Sequence, residues 1–172
     1  SSLNFAQPIA SQLINPFEFQ VILNVGRGVS LAKFFSLIHK GTLPSPEGRL
    51  TAVPWPMFAA IFHKVVNAVY LLHRRGMVAS DLKLSNIFLT EEGQVKLMDM
   101  SGVAIYNDRE PIKVVPAFTK NLAPPEIAAT YDFDAWTIGT NMLLALNVEL
   151  TSDAKFNHLK LNEWLRGLGR KY

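Results

Sequence analysis

The chain has 172 residues, 49% of them hydrophobic, enough for the packed core of one domain or one lobe. Its formal net charge of +3 is dispersed rather than blocked, so no nucleic-acid footprint is visible, and the absence of cysteine excludes disulfides and thiolate metal sites. No apolar run reads as long enough to cross a bilayer, and no signal peptide is visible at Ser1, although a processed chain would have lost one.

Residues 1 to 20 carry scattered apolar positions with Pro8 and Pro16, and read as strand and loop. Val21-Ile22-Leu23-Asn24-Val25 is strand-like and breaks at Gly26-Arg27-Gly28. The spacing predicts a short amphipathic helix over 29–40, capped by Ser30. Residues 41–56 hold four prolines and two glycines and read as a surface loop. That loop is longer than a usual helix connection, which makes it either functional or partly disordered. Helical spacing returns over 57–75.

The next stretch carries the chemistry. Ile87, Leu89, Val95 and Leu97 alternate as strand residues, and Thr90-Glu91-Glu92-Gly93-Gln94 between them is turn chemistry, so a hairpin is predicted. Asp81 stands before the first strand and Asp99 just after the second. Antiparallel strands return their ends to one place, so both carboxylates can face one cleft. Lys83 and Asn86 share the loop with Asp81. Phosphoryl transfer needs such a set: a carboxylate for the hydroxyl proton, an ammonium beside the moving group, and an amide and a carboxylate for Mg²⁺. Each residue alone also has a plain structural use, as a turn aspartate, a solvated lysine or an amide on turn backbone.

After Asp99 a loop without periodicity runs to Glu126. Residues 134–147 are apolar on nearly every side, which predicts a helix buried in the middle of the fold. The tail, 157–172, reads as one more amphipathic helix with Leu159, Leu161, Trp164, Leu165 and Leu168 inward.

The order and spacing of these residues resemble the eukaryotic protein kinases. Asp81-Leu82-Lys83-Leu84-Ser85-Asn86 resembles D-L-K-x-x-N, and Asp99-Met100-Ser101 stands where D-F-G belongs. Pro124-Pro125-Glu126 resembles A-P-E, and Asp134-Ala135-Trp136-Thr137-Ile138-Gly139 resembles D-x-W-x-x-G. The resemblance runs from about residue 20 to about residue 147.

It implies an α+β, mainly helical fold: an N-lobe strand remnant at 1–23, a hinge at 24–30 and a kinase-like C-lobe at 31–172. Within that lobe the catalytic loop would be 79–86, the magnesium loop 99–101 and the activation segment 99–126. It also implies ATP and Mg²⁺ as cofactors and a protein as substrate or regulated partner, with no nucleic acid, no transmembrane segment and the oligomeric state open. Asp81 would orient and deprotonate the substrate hydroxyl, and Lys83 would offset charge on the γ-phosphate. Asn86 and Asp99 would hold Mg²⁺. The backbone of Asn24 and Gly26 would bond adenine, with Leu23 as the gatekeeper behind it. Glu126 would pair with an arginine, Arg166 or Arg170, and Asp134 would brace the catalytic loop.

Departures from the pattern are as informative. Ala79 and Ser80 replace the histidine and arginine before the catalytic aspartate, which removes the docking charge for a phosphate on the activation segment. Met100 and Ser101 replace phenylalanine and glycine, keeping the apolar packing but not the backbone freedom. Residues 1–20 contain neither a glycine-rich strand pair nor the strand lysine that holds nucleotide phosphates. Two functions therefore stand side by side: a Ser/Thr protein kinase, or a pseudokinase acting as scaffold or allosteric partner. Tyr131-Asp132-Phe133-Asp134-Ala135-Trp136 and Pro-Pro-Glu most resemble the apicomplexan rhoptry kinases and pseudokinases. That narrower resemblance implies a secretory organelle or vacuole as location; otherwise the cytoplasm is expected.

Overall fold

In the computed structural model, which describes residues 7–15, 18–45, 48–50, 52–106, 117–124 and 128–146, the chain begins as an antiparallel pair. β1 (Gln7–Asn15) and β2 (Glu18–Asn24) pair with Leu13 opposite Phe19 and Pro8 opposite Leu23. The register shifts between Pro8 and Ala10, where proline has no N–H to give the ladder. β3 (Gly28–Ser30) follows and leads straight into α1 (Leu31–His39). Ser30 caps that helix as expected, its hydroxyl accepting the Lys33 N–H at 3.3 Å.

Residues 41–56 depart from the predicted loop. β4 (Leu43–Ser45) and β5 (Gly48–Leu50) form a small antiparallel hairpin, with Pro44 opposite Arg49. A two-stranded hairpin has two edges, so a proline without an N–H fits where a central strand would reject it. α2 (Trp55–His73) starts two residues before the expected position, with Pro56 in its first turn, where a missing N–H costs nothing. At 19 residues α2 is, by length and composition alone, long and apolar enough to cross a membrane, which corrects the reading that no such run exists. In this fold one face of it is packed into the core.

β6 (Met77–Val78), β7 (Ile87–Thr90), β8 (Val95–Leu97) and β9 (Ala104–Ile105) complete the strands, β6 pairing with β9. The predicted hairpin is present: Ile87 lies opposite Leu97 and Leu89 opposite Val95. β3 pairs with the far side of β7, giving the sheet order β3-β7-β8. Gly28 makes that possible. Its φ is +151°, and a Cβ there would sit 2.1 Å from the carbonyl oxygen of Leu89.

One core forms between α1, α2 and the β7–β8 ribbon. Leu31, Phe35 and Ile38 recur at helical spacing on α1, and Phe58, Phe62, Val65 and Val69 on α2, all buried against Ile87, Val95 and Leu97. Each such side chain contributes about 1.5–3 kcal/mol by leaving water. A smaller cluster of Val78, Ala104, Ala129 and Phe133 joins β6, β9 and α3 (Tyr131–Ala145).

α3 corrects the expectation of a helix apolar on nearly every side. Asp132, Ala135 and Gly139 are exposed, and the most buried stripe is largely polar: Asp134, Thr137, Thr140 and Asn141. Thr137 and Thr140 satisfy their hydroxyls on the carbonyls one turn back, at 3.0 and 2.9 Å. The other two reach out of the helix. The tail helix at 157–172 and Glu126 with Arg166 and Arg170 lie outside the described residues.

Candidate active site

The loop that bears Asp81 is shaped by α3. The carboxylate of Asp134, fully buried, accepts the backbone N–H of Ala79 at 2.8 Å and of Ser80 at 2.9 Å, together with Nε2 of His73 at 2.8 Å. Two turns further on, Nδ2 of Asn141 donates to the carbonyl of Leu82 at 3.0 Å and to that of Thr137 at 2.6 Å. Three backbone groups of the loop are thus held by two side chains of one helix. Asp134 thus braces the loop of Asp81, as the resemblance led one to expect. The Oδ1 of Asn141 is buried and has no hydrogen-bond partner among the described residues.

Ser80 sits in the left-handed region, with φ of 55°, a conformation that costs a non-glycine residue about 1–2 kcal/mol. The hydrogen bond from its backbone N–H to Asp134 offsets this, and its hydroxyl, buried in the place of the family's arginine, donates to the carbonyl of Gly102. Gly102 closes the 3₁₀ turn Met100–Gly102 that follows Asp99. A Cβ on it would lie 3.4 Å from the Cβ of Asp81 and 3.3 Å from the carbonyl of Ala117. The loop of Asp81 and the loop of Asp99 are therefore in direct contact.

Asp81 itself is 15% exposed at the side chain. Its Oδ2 accepts Nζ of Lys83 at 2.7 Å and its Oδ1 accepts the hydroxyl of Thr119 at 2.6 Å. Partial burial pushes its pKa up, but the hydrogen bonds from Lys83 and Thr119 and the charge of Lys83 together outweigh burial and hold it below the usual 3.8. The carboxylate is ionised at neutral pH.

Asn86 ends the 3₁₀ turn Leu84–Asn86, its Nδ2 reaching the carbonyl of Asp81 at 3.4 Å. Its own carbonyl accepts the N–H of Met98 at 2.8 Å, which ties the start of the ribbon to its end one residue before Asp99. Asp99 is exposed with φ of 55°, and its Oδ1 accepts the Ser101 hydroxyl at 2.6 Å. Met100 is 38% exposed, so the apolar packing expected of it is at most partial. Gly26 has φ of +78°, with nothing within 4 Å of where a Cβ would lie. The side chains of Leu23 and Asn24 lie outside the described residues. The segment after them is anchored to the ribbon by the N–H of Glu91, which donates to the carbonyl of Arg27 at 3.0 Å.

Asn86 and Asp99 offer hard oxygen donors of the kind Mg²⁺ accepts. Among the described residues no group of three or more His, Asp or Glu could hold a metal by itself. Such a pair suits an ion that keeps waters and takes its remaining oxygens from a phosphate. Two site residues had no signal to find them. Thr119 lies in a stretch without periodicity, and Asn141 stands next to Thr140 in a mostly apolar stretch with no motif to mark it.

An acid-bearing loop clamped by a buried helix, against a second acidic loop reached through one small ribbon, defines a kinase-like lobe with three helices among the described residues. Residues 18–165 match the model of the protein kinase domain. The chain belongs to that family. It is 34% identical over 114 residues to the serine/threonine-protein kinase plk-2 of Caenorhabditis elegans, covering 64% of this chain and 18% of that protein. It is 25% identical over 139 residues to the CBL-interacting serine/threonine-protein kinase 24 of Arabidopsis thaliana, covering 78% of this chain and 28% of that one. To the human hormonally up-regulated neu tumor-associated kinase it is 34% identical over 93 residues, covering 48% and 12%. The chain spans less than a third of the length of these relatives.

Proposed function

We propose that this chain carries the acceptor-side half of a Ser/Thr protein kinase site, transferring the γ-phosphate of ATP to a protein hydroxyl with Mg²⁺. The observation that carries the reading is the state of Asp81: ionised, largely enclosed, and fixed by Lys83 and Thr119. A substrate hydroxyl brought to Asp81 is oriented by the carboxylate and gives up its proton to it as the oxygen attacks. Lys83, already 2.7 Å from Asp81, supplies positive charge beside the group in transfer. Asn86 and Asp99 would hold Mg²⁺, which when bound neutralises the nucleotide phosphates. Asn24 and Gly26 would meet adenine with their backbone and Leu23 would close the pocket behind it, with 1–23 as the N-lobe strand remnant and 24–30 as the hinge.

A second reading has its own support. Ser101 spends a hydrogen bond on Asp99 where the family has glycine, and Ala79 and Ser80 stand where it has histidine and arginine, as in a pseudokinase that scaffolds with little or no turnover. The narrower likeness to secreted rhoptry kinases rests on residues 131–136 and the Pro-Pro-Glu. It would place the protein in a parasite secretory organelle.

Thermal shift with ATP, with and without Mg²⁺, separates these readings, because a ligand that binds only the folded state raises its melting temperature by mass action. The kinase reading expects a metal-dependent shift that Asp99→Ala loses and Asp81→Ala keeps, and a loss of phosphate transfer in Asp81→Ala of about 10²-fold or more. No shift at millimolar nucleotide favours the scaffold.

A further inference from the structure

Beside Lys83, away from the ribbon, a groove of about 550 Å³ opens between α1, the catalytic loop and the end of α3. Its walls are Phe35, Leu84, Leu122 and Leu144, and its rim carries His39, Lys40 and Lys83. None of the described residues that line it is an aspartate or glutamate. The groove is built rather than incidental: the His39 ring meets the carbonyl of Ala145 at 3.0 Å, fixing the end of α1 to the end of α3. It is also continuous with the site, because Lys83 is both its rim and the partner of Asp81.

Resting on the protein kinase reading, we propose that this groove selects the protein substrate, taking an apolar side chain beside the phosphoacceptor in a segment that carries carboxylates rather than arginine or lysine. An extended segment with its hydroxyl at Asp81 passes Lys83, and a neighbouring side chain falls against the apolar wall, where burial favours leucine, methionine or phenylalanine. The rim chooses between charges. Lys83 is already paired with Asp81, so the choice falls to Lys40, which a cation would meet as a like charge with no aspartate or glutamate among the described lining residues, whereas an acidic residue meets it favourably.

Synthetic peptides with one central serine and randomised flanks, equilibrated with the full chain immobilised in the absence of nucleotide, read this directly by the composition of the bound fraction. Enrichment of an apolar residue at one flanking position and of Asp or Glu near it is expected. Lys40→Glu, at an exposed rim position, should cut the acidic preference about fivefold. Leu144→Glu should exchange the apolar preference for arginine or lysine, and Ser36→Glu on the facing helix makes the same reversal if Leu144→Glu does not fold by circular dichroism. A wild-type profile that is flat or rich in arginine and lysine, or one that neither charge change moves, overturns the proposal. Phosphate transfer from ATP to the same peptides is scored separately. Selection without transfer sinks the catalytic reading and keeps the groove, while transfer without selection does the reverse.

Discussion

Asp81 shows how one carboxylate is kept ionised by two neighbours from different parts of the chain. Burial alone would raise its pKa; Lys83 and Thr119 reverse the sign. Because the folded value lies below the unfolded one, the stability these bonds give is present above the unfolded pKa of 3.8 and is lost as pH falls through the folded value. A carbon-13 titration of the Asp81 carboxyl should therefore find its midpoint below 3.8 in the wild type and higher in Thr119→Ala, with acid unfolding of the variant beginning at higher pH. A midpoint unmoved in Thr119→Ala would remove the threonine from the account. Asp81, Lys83 and Asn86 were readable because their spacing is itself a chemical pattern. Thr119 was not, since a hydroxyl 38 residues away in an aperiodic loop leaves no trace until the chain folds.

At the level of elements, the sequence reading succeeded where a single periodicity governs. Alternation in Ile87, Leu89, Val95 and Leu97 predicted the ribbon, and helical spacing predicted α1 and α2 to within two residues. It failed where residue preference and partner disagree. Prolines disguised the β4–β5 hairpin, and α3 was misjudged because its buried stripe is largely polar, with Asp134, Thr137, Thr140 and Asn141 beside Phe133 and Ala145. The contact of β3 with β7 depends on one glycine, so Gly28→Ala, forced both into the Leu89 carbonyl and into a strained φ, should cost about 2 kcal/mol or more in urea unfolding. A change within about 0.5 kcal/mol would mean that β3 contributes little to the sheet.

For the whole molecule, the deciding arrangement is that the polar stripe of α3 faces the loop that bears Asp81 while α1, α2 and the ribbon supply the apolar core. Removing the carboxylate in Asp134→Ala leaves two buried N–H groups and a histidine ring without their acceptor, and should lower unfolding free energy by about 3 kcal/mol, measured by urea denaturation. A loss under about 1 kcal/mol would show that water replaces it freely. The kinase resemblance gave Asp134 its bracing role in advance, because the family's motif carries it. Asn141 has no such motif, and its grip on Leu82 becomes visible only when helix and loop are side by side.

That shared anchoring has a practical meaning for how the protein fails. Ala79, Ser80 and Leu82 hang from the buried stripe of α3, so freeing them means breaking hydrogen bonds made inside the fold. On warming, the site and the helix beneath it are therefore expected to be lost together, which near-ultraviolet circular dichroism and hydrogen exchange at Ala79 and Ser80 would check.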